Sequence, residues 1–343
     1  MAAIIEVIHT ALEITGIAFG PVKGDVVLEF ALRNVCHFSN ADIHGAFVNK
    51  VPLYPQADGD RKNVALADAT DFLSWNLNPK MRRITAVKKG TADFVDFNGK
   101  VTGNMSHSSP FEIDKIYPDD DLTALLCVHS KSANIDFYET GAGVYRKEDN
   151  SYSISDKIHS SELAVSAGWN SDFDGWIIYD AYQKKLFFWK RTENEATDLT
   201  IPQVPEECEI NYYVNDAATA VTLTVENDSG FIAQFWTGDI GNGKITWQAP
   251  ESVLNGLTGT MIANPIGTKI AVLRTAGPLA TLCVIDRVSG KIVEQASIDE
   301  KYTGVGIGWL SDSQVICAGI EDLFLLDLNQ KKVSASGKGM KIK

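Results

Sequence analysis

The stretch GTKIAVLRTAGPLATLCVIDRVSGKIVEQASID, residues Gly267–Asp299, contains three short apolar runs that are separated by two turns. Its second turn has the pattern Asp-x-x-x-Gly-Lys, and glycine favours such tight turns because it tolerates positive φ angles. The same Gly-Lys pair occurs at positions 99–100, 243–244 and 290–291, at spacings of 144 and 47 residues. These spacings are three periods and one period of about 48 residues, which indicates that the stretch is one copy of a repeat.

A second set of recurring positions supports the repeat. At each of them an apolar or aromatic residue ends one run, a polar turn follows, and a new β-rich run begins. The seven positions are Phe19, Trp75, Tyr117, Trp169, Tyr213, Ile262 and Trp309. Successive gaps between them range from 42 to 56 residues. Units of about 40–50 residues that contain four antiparallel strands are typical of propeller blades.

We therefore predict an all-β fold with negligible helix: a single β-propeller of seven four-stranded antiparallel blades over residues 1–343. The blades are expected to start near residues 14, 68, 111, 164, 208, 258 and 303. Six blades is the alternative, because the first blade rests on the longest gap, which is 56 residues.

The two ends of the chain are both candidates for closing the ring. The segment Ile4–His9 precedes the first blade as the outer strand KIVEQASID precedes the seventh. We therefore expect it to complete blade seven beside Leu323–Leu328. The alternative is Lys331–Ser336, which directly follows a degenerate copy of the Gly-Lys turn. Either pairing removes a free sheet edge at the seam.

The polar turns, such as GWNSDFDG (168–175) and GWLSDS (308–313), resemble the aromatic-Ser-Pro-Asp-Gly turn of WD40-like and YVTN-like propellers. The resemblance covers nearly the whole chain and implies the propeller fold. No blade ends in Trp-Asp or starts with Gly-His, so the hydrogen-bond tetrad of true WD40 repeats is not predicted.

Composition restricts the partners. The chain has 45% hydrophobic and 22% charged residues, as globular proteins do. Its net charge of −13 repels polyanions, so we expect a basic protein or a cationic ligand rather than nucleic acid. Apolar runs such as Ala124–Val128 are too short to span a membrane, and no membrane partner is expected.

The five cysteines are scattered through apolar runs, which predicts reduced thiols in a cytoplasmic protein.

Two neighbouring turns are rich in carboxylates. The turn of the third blade carries Asp119, Asp120 and Asp121, and the turn of the fourth carries Asp172 and Asp174. Equivalent turns lie on one face of a propeller, so we expect these five carboxylates to form a negative patch. Such a patch accelerates the encounter with a cationic partner, and salt weakens that binding by screening.

The irregular segment Arg33–Phe72 accounts for the long first gap. Insertions in a propeller emerge as loops, and loops carry binding residues. This segment supplies Tyr54 as a further candidate contact residue.

One turn also has the spacing of a calcium loop. Asn170, Asp172 and Asp174 offer oxygens at alternate positions before Gly175, as calcium ligands do. Ile178 occupies the place of the next expected ligand, so an ordinary turn is the competing interpretation. Apart from this possible calcium ion, we expect no cofactor and no metal site.

Two classes of function are compatible with these patterns. The first is a non-enzymatic intracellular binding propeller, a scaffold that engages a protein partner through an acidic face. The alternative is a small-molecule enzyme of the lactonase, lyase or cyclase type that uses the axial pocket. No Gly-x-Ser-x-Gly or His-Glu-x-x-His motif occurs, and the sequence leaves the catalytic residues unknown. Carboxylates or histidines around the axial pocket would favour the enzyme.

Overall fold

Seven four-stranded antiparallel sheets make up the structure, a computed structural model. It describes residues 4–10, 13–19, 25–31, 34–49, 65–67, 72–78, 80–106, 112–134, 137–148, 151–161, 165–180, 182–205, 208–215, 218–227, 232–249, 260–264, 266–276, 279–299 and 304–329. Each sheet is one blade, and its strands a to d run from the centre of the ring outwards.

The strands of the first four blades follow one another along the chain. Blade 1 contains β2 (Ile14–Phe19), β3 (Val26–Phe30), β4 (Asn34–Phe38) and β5 (Ala65–Ala67). Blade 2 contains β6 (Phe72–Asn78), β7 (Arg83–Lys88), β8 (Thr91–Asp96) and β9 (Val101–Ser106). Blade 3 contains β10 (Glu112–Pro118), β11 (Ala124–Asn134), β12 (Phe137–Glu148) and β13 (Ser151–Ser161). Blade 4 contains β14 (Val165–Asn170), β15 (Gly175–Asp180), β16 (Lys185–Lys190) and β17 (Thr197–Asp198).

The last three blades complete the ring. Blade 5 contains β18 (Glu209–Val214), β19 (Ala220–Glu226), β20 (Ile232–Gly241) and β21 (Lys244–Gln248). Blade 6 contains β22 (Thr260–Ala263), β23 (Lys269–Ala276), β24 (Leu279–Asp286) and β25 (Ile292–Asp299). Blade 7 contains β26 (Gly306–Ser311), β27 (Gln314–Ala318), β28 (Asp322–Asp327) and, outermost, the N-terminal strand β1 (Ile4–His9).

The prediction of seven four-stranded blades is confirmed, and the six-blade alternative is wrong. The a strands of neighbouring blades contact one another around the ring, for example β2 with β6 and with β26. This arrangement places the a–b and c–d turns on one face, which we call the a–b face. Within the described ranges, no helix has the length and hydrophobicity needed to cross a membrane.

The recurring Gly-Lys pairs lie in c–d turns, where glycine is required. Gly99, Gly243 and Gly290 have φ angles of 77°, 66° and 66°, in the left-handed region that side chains disfavour. The aspartate that ends strand c stabilises two of these turns. Asp96 Oδ1 accepts the N–H of Lys100 at 2.9 Å, and Asp286 Oδ1 accepts the N–H of Ser289 at 2.8 Å.

The ring closes through its N-terminal strand. β1 pairs antiparallel with β28, from Ile4 opposite Asp327 to His9 opposite Asp322. This strand occupies the position that the sequence analysis expected for Ile4–His9. The alternative segment, Lys331–Ser336, lies outside the described residues.

One helix corrects the expectation of negligible helix. α1 (Asn40–Asn49) lies between β4 and β5. Ser39 and Asp42 cap its first turn reciprocally: the N–H of Asp42 donates to Ser39 Oγ, and the N–H of Ser39 donates to Asp42 Oδ2. Its buried side chains are Ile43, Ala46 and Phe47. They pack into the apolar core shared by blades 1 and 7, so the helix covers the seam of the ring.

Candidate binding face and axial cavity

The a–b turns are built around a repeated Asn or Asp side chain. Asn215 Oδ1 accepts the N–H groups of the residues four and five positions later, at 2.8 and 3.0 Å. Asn264 makes the same two bonds at 2.7 and 2.9 Å. Asp119 does so in blade 3 with both carboxylate oxygens, and its side chain is fully buried. These side chains fix the turns because they satisfy backbone groups that the strands leave unpaired.

The five predicted aspartates of blades 3 and 4 lie together on the a–b face, and we call them the acidic cluster. Arg191, in the turn after β16, lies at its centre. Its Nη1 is 3.1 Å from Asp119 Oδ2 and 3.5 Å from Asp121 Oδ2, and its Nε is 3.0 Å from Asp174 Oδ1. Burial would lower the pKa of Arg191, but the hydrogen bond to Asp119 and the nearby carboxylate charges raise it. One guanidinium therefore links the turns of two blades.

A lysine makes a second link. Lys80 Nζ, from the turn of blade 2, lies 3.5 Å from Asp172 Oδ1 and 4.0 Å from Asp120 Oδ2. Asp120 Oδ1 also accepts the indole N–H of Trp169 at 3.0 Å and the hydroxyl of Ser171 at 2.9 Å. Each carboxylate of the acidic cluster thus already has a cation beside it.

The outward surface of the acidic cluster is mainly carboxylate. The side chains of Asp121 and Asp172 are 70% and 66% exposed, whereas that of Arg191 is only 28% exposed. The exposed Glu193 and Glu195 follow Arg191 in the same turn. Arg191 is therefore enclosed by the carboxylates, whereas Lys80, whose side chain is 52% exposed, shares the surface with Asp121 and Asp172.

The oxygens of the proposed calcium loop already have partners. Asn170 Oδ1 accepts the N–H groups of Asp172 and Phe173 at 3.0 and 3.1 Å, and Asp174 binds Arg191. Calcium binding here stays a prediction, and it requires the displacement of Arg191 and Lys80. Among the residues that the structure describes, no three His, Cys, Asp or Glu side chains are grouped to hold a metal ion. Tyr54 lies outside the described residues.

A cavity of about 310 Å³ lies between the a strands of blades 1 to 5. Trp75, Tyr117 and Trp169 supply its aromatic surface. Its polar side chains are those of Asn76, Asn78, Lys115 and Asn215. None of the described residues that line this axial cavity is a carboxylate or a histidine, and Lys115 is the one charged residue among them.

Most polar groups in the cavity wall are bonded within the protein. Asn78 Oδ1 accepts the N–H of Met81 at 3.1 Å, and Asn215 holds its own turn. The indole of Trp75 donates to Glu29 Oε2 at 2.9 Å. Asn76 differs: its Oδ1 is buried and accepts no hydrogen bond from the described residues.

The a strands of the first three blades each carry an irregularity just before the cavity begins. The pairing register shifts around Thr15 in β2, Leu73 in β6 and Asp114 in β10. The a strands of blades 4, 5 and 6 pair without such a shift, whereas that of blade 7 has one between Trp309 and Ser311. Bulges re-aim side chains, so the side chains of blades 1 to 3 depart from regular alternation at the edge of the cavity.

Sequence reasoning did not identify Lys115 or Asn76. The usable signal is small: Asp114-Lys115 is a polar pair inside an inner strand, where strict alternation would place one of them in the core. Trp75 and Trp169, by contrast, occupy a repeat position that the sequence reveals.

Blade 1 carries a separate buried ion pair on the same face. Asp25 Oδ1 lies 2.9 Å from His37 Nε2, and Asp25 Oδ2 accepts a hydrogen bond from Arg82 Nε at 2.9 Å. Burial would raise the pKa of Asp25, but the hydrogen bonds from His37 and Arg82 outweigh it and lower that pKa. The ring of His37 stacks on Phe97, with centroids 4.1 Å apart. The contact between Arg82 and Asp25 joins blade 2 to blade 1.

Comparison with solved structures identifies other propellers. Oligogalacturonate lyase from Vibrio parahaemolyticus has a TM-score of 0.58 and 9% identity, over 96% of this chain and 98% of that one. Hsv2 from Kluyvelomyces marxianus has a TM-score of 0.52 and 10% identity, over 89% and 88%. The WD40 domain of SCAP from fission yeast has a TM-score of 0.49 and 10% identity, over 94% of each chain.

These likenesses show the fold alone, because the identities are so low. The WD40-like resemblance of the turns is confirmed at that level: the chain is a propeller of seven blades. No protein-family model matches the sequence, and no curated protein matches it.

Proposed function

We propose that this protein is a non-enzymatic binding propeller that engages a basic protein partner through the acidic cluster on the a–b face. The supporting observation is the arrangement of Asp121 and Asp172, which are exposed and held beside Arg191 and Lys80. Carboxylates that are already ordered lose little conformational freedom on binding. Opposite charge on the partner would also speed the encounter.

The internal cations set the expected strength of this interaction. A partner's lysine or arginine competes with Arg191 and Lys80 for the exposed carboxylates, and exposed ion pairs contribute little each. Binding should therefore be modest and should weaken as salt rises. Buried Asp119 maintains the turn and does not contact the partner.

The axial cavity gives less support to the enzymatic alternative. A lactonase-, lyase- or cyclase-type reaction needs groups that move protons, and Lys115 and Tyr117 are the titratable described residues in the wall. The oligogalacturonate lyase likeness adds the shared fold and nothing about this cavity.

The thiols favour an intracellular location within the same proposal. None of the five cysteines forms a disulfide bond, and four of them are buried. Burial raises the pKa of Cys36 to about 12, so this thiol stays protonated and unreactive at neutral pH. Free, buried thiols are typical of proteins in reducing compartments.

The proposal is tested with a fluorescent oligolysine peptide as a minimal basic partner, with an oligoglutamate peptide as the charge control. Fluorescence anisotropy should detect oligolysine binding at low salt and its loss at high salt. The double variant Asp121→Asn/Asp172→Asn should weaken binding about 3- to 10-fold, since two exposed charge contacts are lost.

Asp198→Asn is the matched control, because Asp198 lies on the outer strand of blade 4, is 63% exposed and pairs with Lys185. If this control weakens binding as much as the double variant, net charge alone attracts the peptide and the acidic cluster is not the site. Absence of oligolysine binding at low salt would also refute the proposal.

A further inference from the structure

Among the described residues, two c–d turns contain an Asn-Gly pair: Asn98-Gly99 in blade 2 and Asn242-Gly243 in blade 5. An asparagine before glycine is prone to lose its side-chain amide, because no Cβ on the glycine hinders attack by its nitrogen. We propose that Asn242 is a site of this covalent modification, spontaneous deamidation, and that the fold protects Asn98 from it. The modification does not depend on the proposed protein partner.

The reaction uses the asparagine, the glycine that follows it and water. The backbone nitrogen of Gly243 forms a bond to Cγ of Asn242, and its proton leaves with the side-chain NH₂ group as ammonia. The product is a five-membered succinimide ring. Water then opens this ring at one of its two carbonyl groups. One opening yields aspartate, and the other yields isoaspartate, in which the main chain continues through the former side chain.

The turn of blade 5 leaves both reacting groups free. Gly241 pairs with Lys244, so Asn242 and Gly243 form the two-residue end of the hairpin between β20 and β21. The N–H of Gly243 donates to none of the described residues. The side chain of Asn242 is exposed and has no hydrogen-bond partner among them. Neither group therefore has to break a hydrogen bond before the ring closes.

The turn of blade 2 holds the same two residue types in place. The N–H of Gly99 donates to the main-chain oxygen of Asp96 at 2.9 Å. Asp96 Oδ1 also accepts the N–H groups of Asn98 and Lys100, each at 2.9 Å. The Gly99 nitrogen must leave its bond to Asp96 before it attacks Asn98. Asn98 is exposed, as Asn242 is, so access of water does not distinguish the two sites.

The location of Asn242 gives the modification an electrostatic consequence. The hairpin end packs against blade 4, where a Cβ on Gly241 would lie 3.9 Å from Phe173 Cζ. Phe173 stands between Asp172 and Asp174 of the acidic cluster. Deamidation replaces a neutral amide by a carboxyl group that is ionised at neutral pH. An aged molecule would therefore carry an additional negative charge on the a–b face, at the border of the acidic cluster.

The test is peptide mapping by mass spectrometry of the full-length protein during incubation at neutral pH. The gain in mass is followed at each Asn-Gly pair, including residues 255–256, which lie outside the described residues. We expect Asn242 to deamidate about 5- to 30-fold faster than Asn98, because Asn98 reacts only after at least one hydrogen bond has opened.

Two controls assign this difference to the fold. In urea-unfolded protein the two rates should converge, because both sites are then Asn-Gly-Lys in an open chain. In the folded variant Asp96→Ala, Asn98 should deamidate faster than in the wild type, since the Oδ1 acceptor of its turn is gone. Asn242 should keep its wild-type rate in that variant.

Three outcomes would overturn the proposal. The first is that Asn242 in the folded protein stays intact over a period in which the unfolded chain deamidates. The second is that Asn98 reacts as fast as Asn242 in the folded protein, or that the difference persists in urea. The third is that Asp96→Ala leaves the rate at Asn98 unchanged, which would contradict protection by the turn.

Discussion

The acidic cluster and the axial cavity are both built from neighbouring blades, yet they differ in whether their polar side chains have partners. In the acidic cluster every carboxylate lies beside Arg191 or Lys80, and the buried one, Asp119, also caps its own turn. In the cavity, Lys115 and Asn76 Oδ1 have no partner among the described residues. Internal pairing stabilises a turn, whereas a buried oxygen without a donor, such as Asn76 Oδ1, raises the free energy of the folded protein. The polar side chains of the two regions therefore contribute to stability with opposite sign.

The largest effect is expected where the pairing is most buried. Asp119→Ala leaves two buried backbone N–H groups and the hydroxyl of Thr123 without their acceptor and removes one of the three carboxylates around Arg191. It should reduce the free energy of unfolding by about 3–5 kcal/mol. Guanidinium denaturation of the variant and of the wild type measures this difference in the free energy of unfolding. Asp121→Ala removes an exposed carboxylate from the same arginine, and should cost less than about 1 kcal/mol. Equal effects of the two variants would contradict the structural role of Asp119.

The ion pair of Asp25 gives a pH-dependent form of the same comparison. Because the folded-state pKa of Asp25 is lowered, its stabilisation is present above the unfolded pKa of about 3.9. It is lost as the pH falls through the lower folded value. Asp25→Asn should therefore be less stable than wild type by about 1.5–3 kcal/mol at pH 7, with the difference closing below about pH 4. A difference that stays constant in urea denaturation from pH 7 to pH 3 would argue against this.

Two amides in the cavity wall should respond with opposite sign. Asn76→Val removes an acceptor that has no donor, and should raise the free energy of unfolding by about 1 kcal/mol. Asn215→Val frees two backbone N–H groups, and should lower it by about 1–2 kcal/mol. Thermal melts of the two variants, compared with the wild type, measure the sign of each change. A fall in melting temperature for Asn76→Val would mean that Asn76 Oδ1 has a partner.

The smallest effect is expected at the surface of the acidic cluster. Asp172→Asn should change the free energy of unfolding by less than about 0.5 kcal/mol, because its pair with Lys80 is exposed and screened. At high salt, the difference in the free energy of unfolding between Asp172→Asn and the wild type should be near zero. A loss comparable to that of Asp119→Ala would place Asp172 among the structural carboxylates.

The propeller fold was predictable because its signals are local. The left-handed glycines of the c–d turns and the polar a–b turns recur at the blade period, and each turn forms by contacts within a few residues. The helix α1 was also readable in principle, since Ser39-x-x-Asp42 is a capping pair followed by apolar residues at helical spacing. It was missed because the repeat pattern favoured strands.

The partners of the charged groups were not predictable. Arg191 binds an aspartate 72 positions earlier, and a sequence shows the two charges without their distance. The acidic turns therefore predicted a negative patch, whereas the structure adds Arg191 and Lys80, which pair with its carboxylates. The orientation of Lys115 depends on an irregular strand pairing around Asp114, and no residue type at that position marks it.

The pairing of β1 with β28 has a consequence for how the molecule is made. Residue 4 finds its partner only when residue 327 has left the ribosome. At about 5–20 residues per second, the first strand waits tens of seconds while the blades form in order. During that time the seam is open and the edge of blade 7 does not yet exist. The first strand of the propeller to be synthesised thus pairs only after the last one, so the ring can close only once the strands of all seven blades have been made.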